Sequence, residues 1–260
     1  MKILNLNIDA VCDVGAVRTN NEDIISIDGM IFRNNSFQLT LEPTETNNRF
    51  LIAVSDGMGG HNAGEVASEI VLNELHLFKQ ELPENLSFDA DKLKELFQNK
   101  VKEIHKKLNE EGKKDSTKHG MGATLIALLI LSNRVYYFSA GDSRLYRFRR
   151  GILKKISKDH SLAELIGDAR SKSHLILNSI GGGESVFIDF IEITDRLLNE
   201  DSLLLCSDGL TDMLIDDEIE NDLESNYSAA TLCNKAKSAG GKDNISIVLV
   251  KLNLEAELED

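Results

Sequence analysis

Apolar and polar residues alternate through "MKILNLNIDAVC" at the start of the chain, with Asn5, Asn7 and Asp9 at polar positions, and this period predicts a strand. Between 65 and 82 the period lengthens: Val66, Ile70, Val71, Leu75 and Phe78 fall on one helical stripe. A second helix is predicted over 89–109 from Leu93, Leu96, Phe97, Val101, Ile104 and Leu108, with Gly112 as its stop signal. The stretch "GATLIALLILSNRVYYFSAGDSRLYRFRRGILKKIS" (122–157) returns to apolar or alternating runs, broken by short turns at Ser-Asn-Arg, Gly-Asp-Ser and Arg-Arg-Gly. Tight turns between successive strands predict antiparallel pairing, because parallel strands need a long crossover. "DSLLLCSDG" and "NISIVLVKLN" supply later strands, with helices expected near 211–224 and 228–239. The polar stretch 33–49, rich in Asn and Thr and carrying Pro43, reads as a loop between strands. Strands in runs and helices in pairs predict sheets sandwiched between helical layers, not an alternating Rossmann sheet.

Composition narrows the classes. The chain has 260 residues, 42% hydrophobic and 28% charged, which is ample for a buried core and too apolar for a disordered chain. With two prolines and no low-complexity linker, nothing marks a boundary, and one domain over 1–260 is expected. A net charge of -14 argues against a nucleic-acid partner, which would call for a basic face. No transmembrane or secretory segment is visible, so no membrane partner is expected. The three cysteines, Cys12, Cys206 and Cys233, lack CxxC spacing and sit beside apolar residues. Free, buried thiols in a reducing cytoplasm account for them most simply.

The chemistry concentrates at strand tips. In "LIAVSDGMGGHNAGEVAS" (51–68) an apolar run climbs to Asp56 and breaks into glycines; "LLLCSDGLTDM" repeats the pattern at Asp208. Asp243 in "GGKDNISIVLV" stands where a glycine turn enters a strand, and Asp23, beside Glu22 in "RTNNEDIISI", has a similar place. Each alone is a common turn former. Together, strand ends of a sandwich can converge at one rim, where crowded carboxylates repel unless protons or cations neutralise them. Oxygen-only ligands without a Cys/His cluster favour Mg²⁺ or Mn²⁺ over zinc, and the glycine after Asp56 would let a backbone carbonyl approach an ion.

These residues lie in motifs that resemble the metal-dependent protein phosphatases, the protein phosphatase 2C-like family, in their short bacterial form. In the family's order they are "DVGAVRTNNED" (13–23), "SDGMGGHNAGEVAS" (55–68), "GMGATL" (120–125), "AGDSRLY" (140–146), "KDHS" (158–161), "SDGLTD" (207–212) and "KDNIS" (242–246). The resemblance implies an α+β fold, a four-layer αββα sandwich of two antiparallel sheets packed face to face with helices outside. It implies that Asp56 bridges two Mn²⁺ or Mg²⁺ ions, with the Gly57 carbonyl on one and Asp208 and Asp243 on the other. Glu22 and Asp23 would hold water molecules of the ions, and Arg18 would grip phosphate oxygens through its planar fork. A looser third cation is expected between Asp142 and Asp212, which lies four residues after Asp208. The implied reaction is hydrolysis of phosphoserine and phosphothreonine by direct attack of an activated water, without a phosphoenzyme. Phosphorylated proteins are the implied partners, among them a Ser/Thr kinase and its substrates.

The chain departs from the family pattern in two places. Met58 stands where animal members carry a histidine proposed as general acid; His61, three residues on, is an alternative donor or a plain loop residue. The segment after "KDHS", the family's flap, is short before His174 and Asn178, so substrate specificity does not carry over. Other readings stay open. Cys12, Arg18 and Thr19 have the spacing of a cysteine-dependent phosphatase, although the sequel "TNNEDIISIDG" reads as loop then strand and not as the required helix. A pseudo-phosphatase that only binds phosphoproteins would normally lack a metal aspartate, and a metal-dependent nuclease or phosphodiesterase sits badly with the acidic charge. The basic run "RLYRFRRGILKK" (144–155) reads as a solvated hairpin face.

Overall fold

Strands whose both faces are apolar demand cover on both sides. In the computed structural model, which describes residues 2–59, 63–83, 90–167 and 175–255, that demand is met by two antiparallel sheets and flanking helices. The first sheet runs β10 (Ile152–Lys155), β9 (Arg144–Arg149), β12 (Ser202–Cys206), β13 (Ile245–Glu255), β1 (Lys2–Asp13), β4 (Asn35–Leu41). The second runs β11 (Asp189–Glu192), β8 (Arg134–Ala140), β7 (Leu125–Leu131), β5 (Arg49–Met58), β2 (Asp23–Ile27), β3 (Met30–Phe32), and the short β6 (Gly122–Ala123) pairs with the end of β5.

Alternation sends successive side chains of each strand into different cores. Phe50, Ile52 and Val54 of β5 join Ile126, Leu128 and Ile130 of β7 and Leu203, Leu205, Val248 and Val250 of the other sheet between the two sheets. Leu51 and Ala53 of β5 face outward, onto Val71 and Leu75 of α1 (Ala63–Glu81) and Phe97 and Val101 of α2 (Ala90–Lys114). On the far side, Leu204, Ile247 and Leu249 pack under Ile219 and Leu223 of α5 (Asp216–Ser225) and Leu232 and Ala236 of α6 (Ala229–Ser238). Three apolar interfaces in series make the four-layer αββα sandwich. The remaining helices are short: α3 (Leu162–Ile166) and α4 (Asp208–Thr211).

Four expectations need correction. The stretch 33–49 is not all loop: β4 pairs along β1, with Phe37, Leu39 and Leu41 turned to the inter-sheet core behind outward polar residues. The Gly-Asp-Ser turn does not close a hairpin, since β8 and β9 lie in different sheets and the chain crosses between them there. The helix expected over 211–224 divides into α4, starting at Asp208, and α5, starting at Asp216. Finally, α2 continues through Gly112 to Lys114; the glycine there makes room for the returning chain, since a Cβ would lie 2.9 Å from the Lys118 carbonyl oxygen.

Phe97 anchors α2 on its sheet, with ring centroids 5.1 Å from Phe78, 5.0 Å from Phe138 and 5.5 Å from Phe190. Phe97→Ala is expected to cost about 3–5 kcal/mol, seen as a lowered urea midpoint at unchanged slope.

Candidate metal centre

The antiparallel register gathers the acids at one end of both sheets. Asp23 opens β2 directly opposite Asp56 on β5. Asp142 follows the end of β8, Asp208 follows β12 by one residue, and Asp243 precedes β13 by one. All nine sequence-predicted residues (Arg18, Glu22, Asp23, Asp56, Gly57, Asp142, Asp208, Asp212, Asp243) belong to this rim. His61 and His174 lie outside the described residues, so the alternative proton donor has no structural account. Met58, by contrast, is seen at the end of β5, paired with Gly122.

Local hydrogen bonds hold each element. The Gly57 N–H donates to the Glu22 carbonyl (3.1 Å), and Ser68 Oγ of α1 donates to the same oxygen (2.7 Å). A Cβ on Gly57 would run into the Gly64 carbonyl, so glycine here lets the start of α1 press against the strand end. The Asp56 N–H donates to Thr124 Oγ1 (3.1 Å), Thr124 N–H donates back to the Asp56 carbonyl (2.8 Å), and Thr124 Oγ1 shares a 2.7 Å bond with Ser143 Oγ. Asp23 accepts from Ser207 Oγ at 2.7 Å. Asn244 accepts from the Glu22 N–H (2.8 Å) and donates to the carbonyls of Val14 (3.0 Å) and Asn20 (2.9 Å). It thereby ties the loop carrying Arg18 to the turn carrying Asp243. Arg18 Nη2 meets Asp243 Oδ2 at 2.8 Å, an exposed ion pair.

Thr124, Ser207 and Asn244 are positioning residues that sequence reasoning gave no role. Their signal was present, since each lies inside a quoted motif, but hydrogen-bond partners far apart in sequence are not readable from spacing.

The electrostatics are strained throughout. Burial holds the carboxyls of Asp56 and Asp208 well above the ordinary carboxylate range, and charged neighbours add to it: Asp23 and then Asp208 for Asp56, Asp142 and then Asp212 for Asp208. Burial pushes Asp23 up to about 6 against the easing hydrogen bond of Ser207, and pushes Asp142 up to about 6 with Asp159 as the next cause. Glu22 is raised as well, chiefly by burial. Three buried oxygens, Asp23 Oδ1, Asp142 Oδ1 and Asp208 Oδ1, have no hydrogen-bond partner among the described residues. Oxygen-only donors, orphaned and repelling, fit hard divalent cations. No three acids among the described residues close in on one point.

Cys12 does not compete for this role. Its thiol is buried on β1, accepts from Asn21 Nδ2 and Ser246 Oγ (3.3 Å each), and is pushed up to about 11 by burial and by Asp23. A nucleophilic cysteine needs a lowered pKa and access to substrate. All three cysteines are free and buried. Within the basic run, Arg150 and Lys154 are exposed, whereas Arg144 grips Asp159 through two nitrogens and Arg149 pairs with the buried Asp201. A cavity of about 320 Å³ between Phe148, Leu223 and Tyr227 lies beyond the opposite ends of β9 and β12, and none of the rim acids lines it.

Fold and rim together define a two-sheet αββα sandwich with carboxylates gathered at one end of the strands. The Protein phosphatase 2C family pattern matches residues 40–250. The chain belongs to that family, and so is a hydrolase. It is 32% identical to the serine/threonine phosphatase Stp of Listeria welshimeri over 93% of this chain and 94% of that one. Among solved structures, the S. agalactiae serine/threonine phosphatase superposes with a TM-score of 0.77 at 28% identity, covering 96% of this chain and 100% of that one. The catalytic domain of the serine/threonine protein phosphatase PstP, a Mycobacterium tuberculosis protein solved with two manganese ions, gives 0.74 at 29% identity, covering 96% and 100%. Among the described residues no helix is long and apolar enough to cross a membrane.

Raised carboxylates have a thermodynamic sign. Between the ordinary aspartate value of 3.8 and about 6, the folded chain binds more protons at Asp23 and Asp142 than the unfolded chain does. Metal-free stability contributed by these groups is therefore present below that window and lost as pH rises through it. Cations compete with those protons, so the rise in Tm given by Mn²⁺ should be larger at pH 7.5 than at pH 5. In EDTA at pH 7.5, Asp208→Asn should raise Tm by about 2–4 °C, the shift that about 1 kcal/mol makes in a chain of this size. Thermal unfolding with and without Mn²⁺ checks both; a lowered Tm for Asp208→Asn in EDTA would refute the charge argument.

Proposed function

We propose that this chain is a serine/threonine protein phosphatase that uses two Mn²⁺ or Mg²⁺ ions to hydrolyse phosphoserine and phosphothreonine in phosphorylated proteins. The observation that carries the reading is the set of buried, mutually repelling carboxylates with orphaned oxygens at the strand tips. The manganese pair of PstP supports it. In this reading Asp56 and the Gly57 carbonyl hold one side of the metal pair, and Asp208 and Asp243 the other. Asp142 and Asp212 hold a looser third ion. When bound, the ions supply a lowered water pKa and offset charge growing on the phosphoryl oxygens.

The chain's own residues do the rest. Glu22 and Asp23 accept hydrogen bonds from water at the rim; Asp23 is held for this by Ser207, and Glu22 by the Asn244 contact to its backbone. Arg18 spends one nitrogen on Asp243 and keeps its other donors for two phosphate oxygens. The attacking water forms the new P–O bond as the bond to the Ser or Thr Oγ breaks. Met58 carries no proton to give, so the departing oxygen takes its proton from water or from His61, which lies outside the described residues. A Ser/Thr kinase and its substrates are the natural class of phosphoprotein partner.

The test is turnover of a phosphothreonine peptide with Mn²⁺ and with EDTA. Activity should require the metal, vanish in Asp56→Asn with the fold retained, and stay near wild type in Cys12→Ser. The reverse pattern in the two variants would restore the cysteine mechanism. Arg18→Ala should raise KM strongly with a smaller fall in kcat, since the interaction lost is with substrate phosphate. An unchanged KM with no turnover would show that Arg18 takes part in the chemistry instead.

A further inference from the structure

The turn that presents Asp142 is held from outside by two adjacent residues that the reaction does not use. Gly141 precedes Asp142 with φ +107°, packed against Thr124 so that a Cβ would lie 2.7 Å from the Thr124 side chain. Its backbone is bonded in both directions by His160: the His160 N–H donates to the Gly141 carbonyl (2.8 Å), and the Gly141 N–H donates to His160 Nδ1 (3.2 Å). At the other end of the turn, Arg144 is gripped by Asp159.

The His160 ring has one consistent proton placement. Nδ1 accepts from the Gly141 N–H, so the ring proton sits on Nε2, which faces Asp189 Oδ2 at 3.3 Å. Asn178 agrees. Phe187 fixes its amide, with the Phe187 N–H donating to Oδ1 (3.1 Å) and Nδ2 donating to the Phe187 carbonyl (3.0 Å). The second Asn178 Nδ2 hydrogen then points to His160 Nδ1 at 2.7 Å. The Leu177 N–H donates to the His160 carbonyl (2.8 Å), and the Phe187 ring packs on the imidazole at 4.6 Å between centroids. One buried histidine therefore joins the Asp142 turn to the Leu177–Phe187 part of the chain.

We propose that His160 is a positioning residue that aims Asp142, through Gly141, at a divalent cation. The proposal rests on the reading of Asp142 and Asp212 as the ligands of a loose third ion. Orienting groups behind a metal ligand typically govern affinity by tenfold or more, and here the group acts on the backbone that carries the ligand.

Two isosteres separate positioning from mere packing. His160→Asn keeps an acceptor near the place of Nδ1, whereas His160→Gln keeps a polar atom only near that of Nε2. The measurement is calorimetric titration of the whole chain with Mn²⁺, resolved into tight and weak steps, alongside Tm in EDTA. His160→Gln and His160→Ala should raise the Kd of the weak step about 10-fold or more, with the tight steps unchanged and His160→Asn close to wild type. If Asn and Gln behave alike, or if all steps shift in parallel with Tm, the histidine only packs and the proposal falls. The isosteres decide this even if His160→Ala does not fold. Asp142→Asn is titrated beside them. If it leaves the weak step intact, the cation reading of Asp142 fails and the proposal with it. If it removes that step while His160→Gln binds like wild type, only the positioning role is lost.

Discussion

Several carboxylates must share one buried rim, where burial and like-charged neighbours hold Asp56 and Asp208 well above the ordinary carboxylate range. Elsewhere in the same chain buried acids are neutralised as physics requires: Asp159 by Arg144, Asp201 by Arg149, Asp222 by Lys235. At the rim the Asp23 carboxylate accepts from the Ser207 hydroxyl, Asp56 is tied to Thr124 through its backbone, and Arg18 sits on the exposed side against Asp243. Breaking a buried ion pair typically costs several kcal/mol, so a fold selected for stability alone would not leave such acids unpaired. The distinction between paired and unpaired acids within one molecule is what makes the rim a site.

That constraint governs what surrounds it. A repelling cluster stays together only if the elements bearing it are fixed elsewhere, and the three apolar interfaces in series supply that grip. Asp56 lies near the end of β5 and Asp208 just past β12, strands whose preceding residues are nearly all buried, so neither carboxylate can retreat without disturbing a core. Ser207, Thr124 and Asn244 are suited to the places between them, because each bonds to backbone or carboxylate without adding charge. Stability is thereby traded for a preformed set of ligands.

Much of this was legible in the chain. Continuous apolar runs ending in Ser-Asp-Gly announced buried strands with acids at their tips, and the helical stripes of 65–82 and 89–109 located the outer layer on one side. What spacing does not encode is which sheet a strand joins. The Gly-Asp-Ser turn looks like a hairpin and is a crossing, because a short turn limits distance and says nothing of pairing partners. β4 hid because its outward Ser36, Gln38 and Thr40 outweighed Phe37, Leu39 and Leu41 in composition. Cys12 and Arg18 mimic a phosphate loop in spacing alone; only burial separates the thiol from the substrate side. His160 carried no helical or strand period, and its partners Gly141 and Asn178 stand nearly twenty residues away on either side.

The same charge excess sets the order of events at the rim. A phosphate ester is anionic, and the chain as a whole carries -14, so the bare acids oppose the substrate as well as one another. Arg18 is a single positive charge already engaged with Asp243. In the proposed reading, divalent cations held there would reverse the local sign, turning a surface that repels phosphate into one that attracts it, while removing the repulsion between the carboxylates. Stability, substrate capture and reaction chemistry would then be bound to the same occupancy. Side chains alone could not couple them: a lysine in place of the ions would satisfy the acids permanently and leave no charge to offer the phosphate.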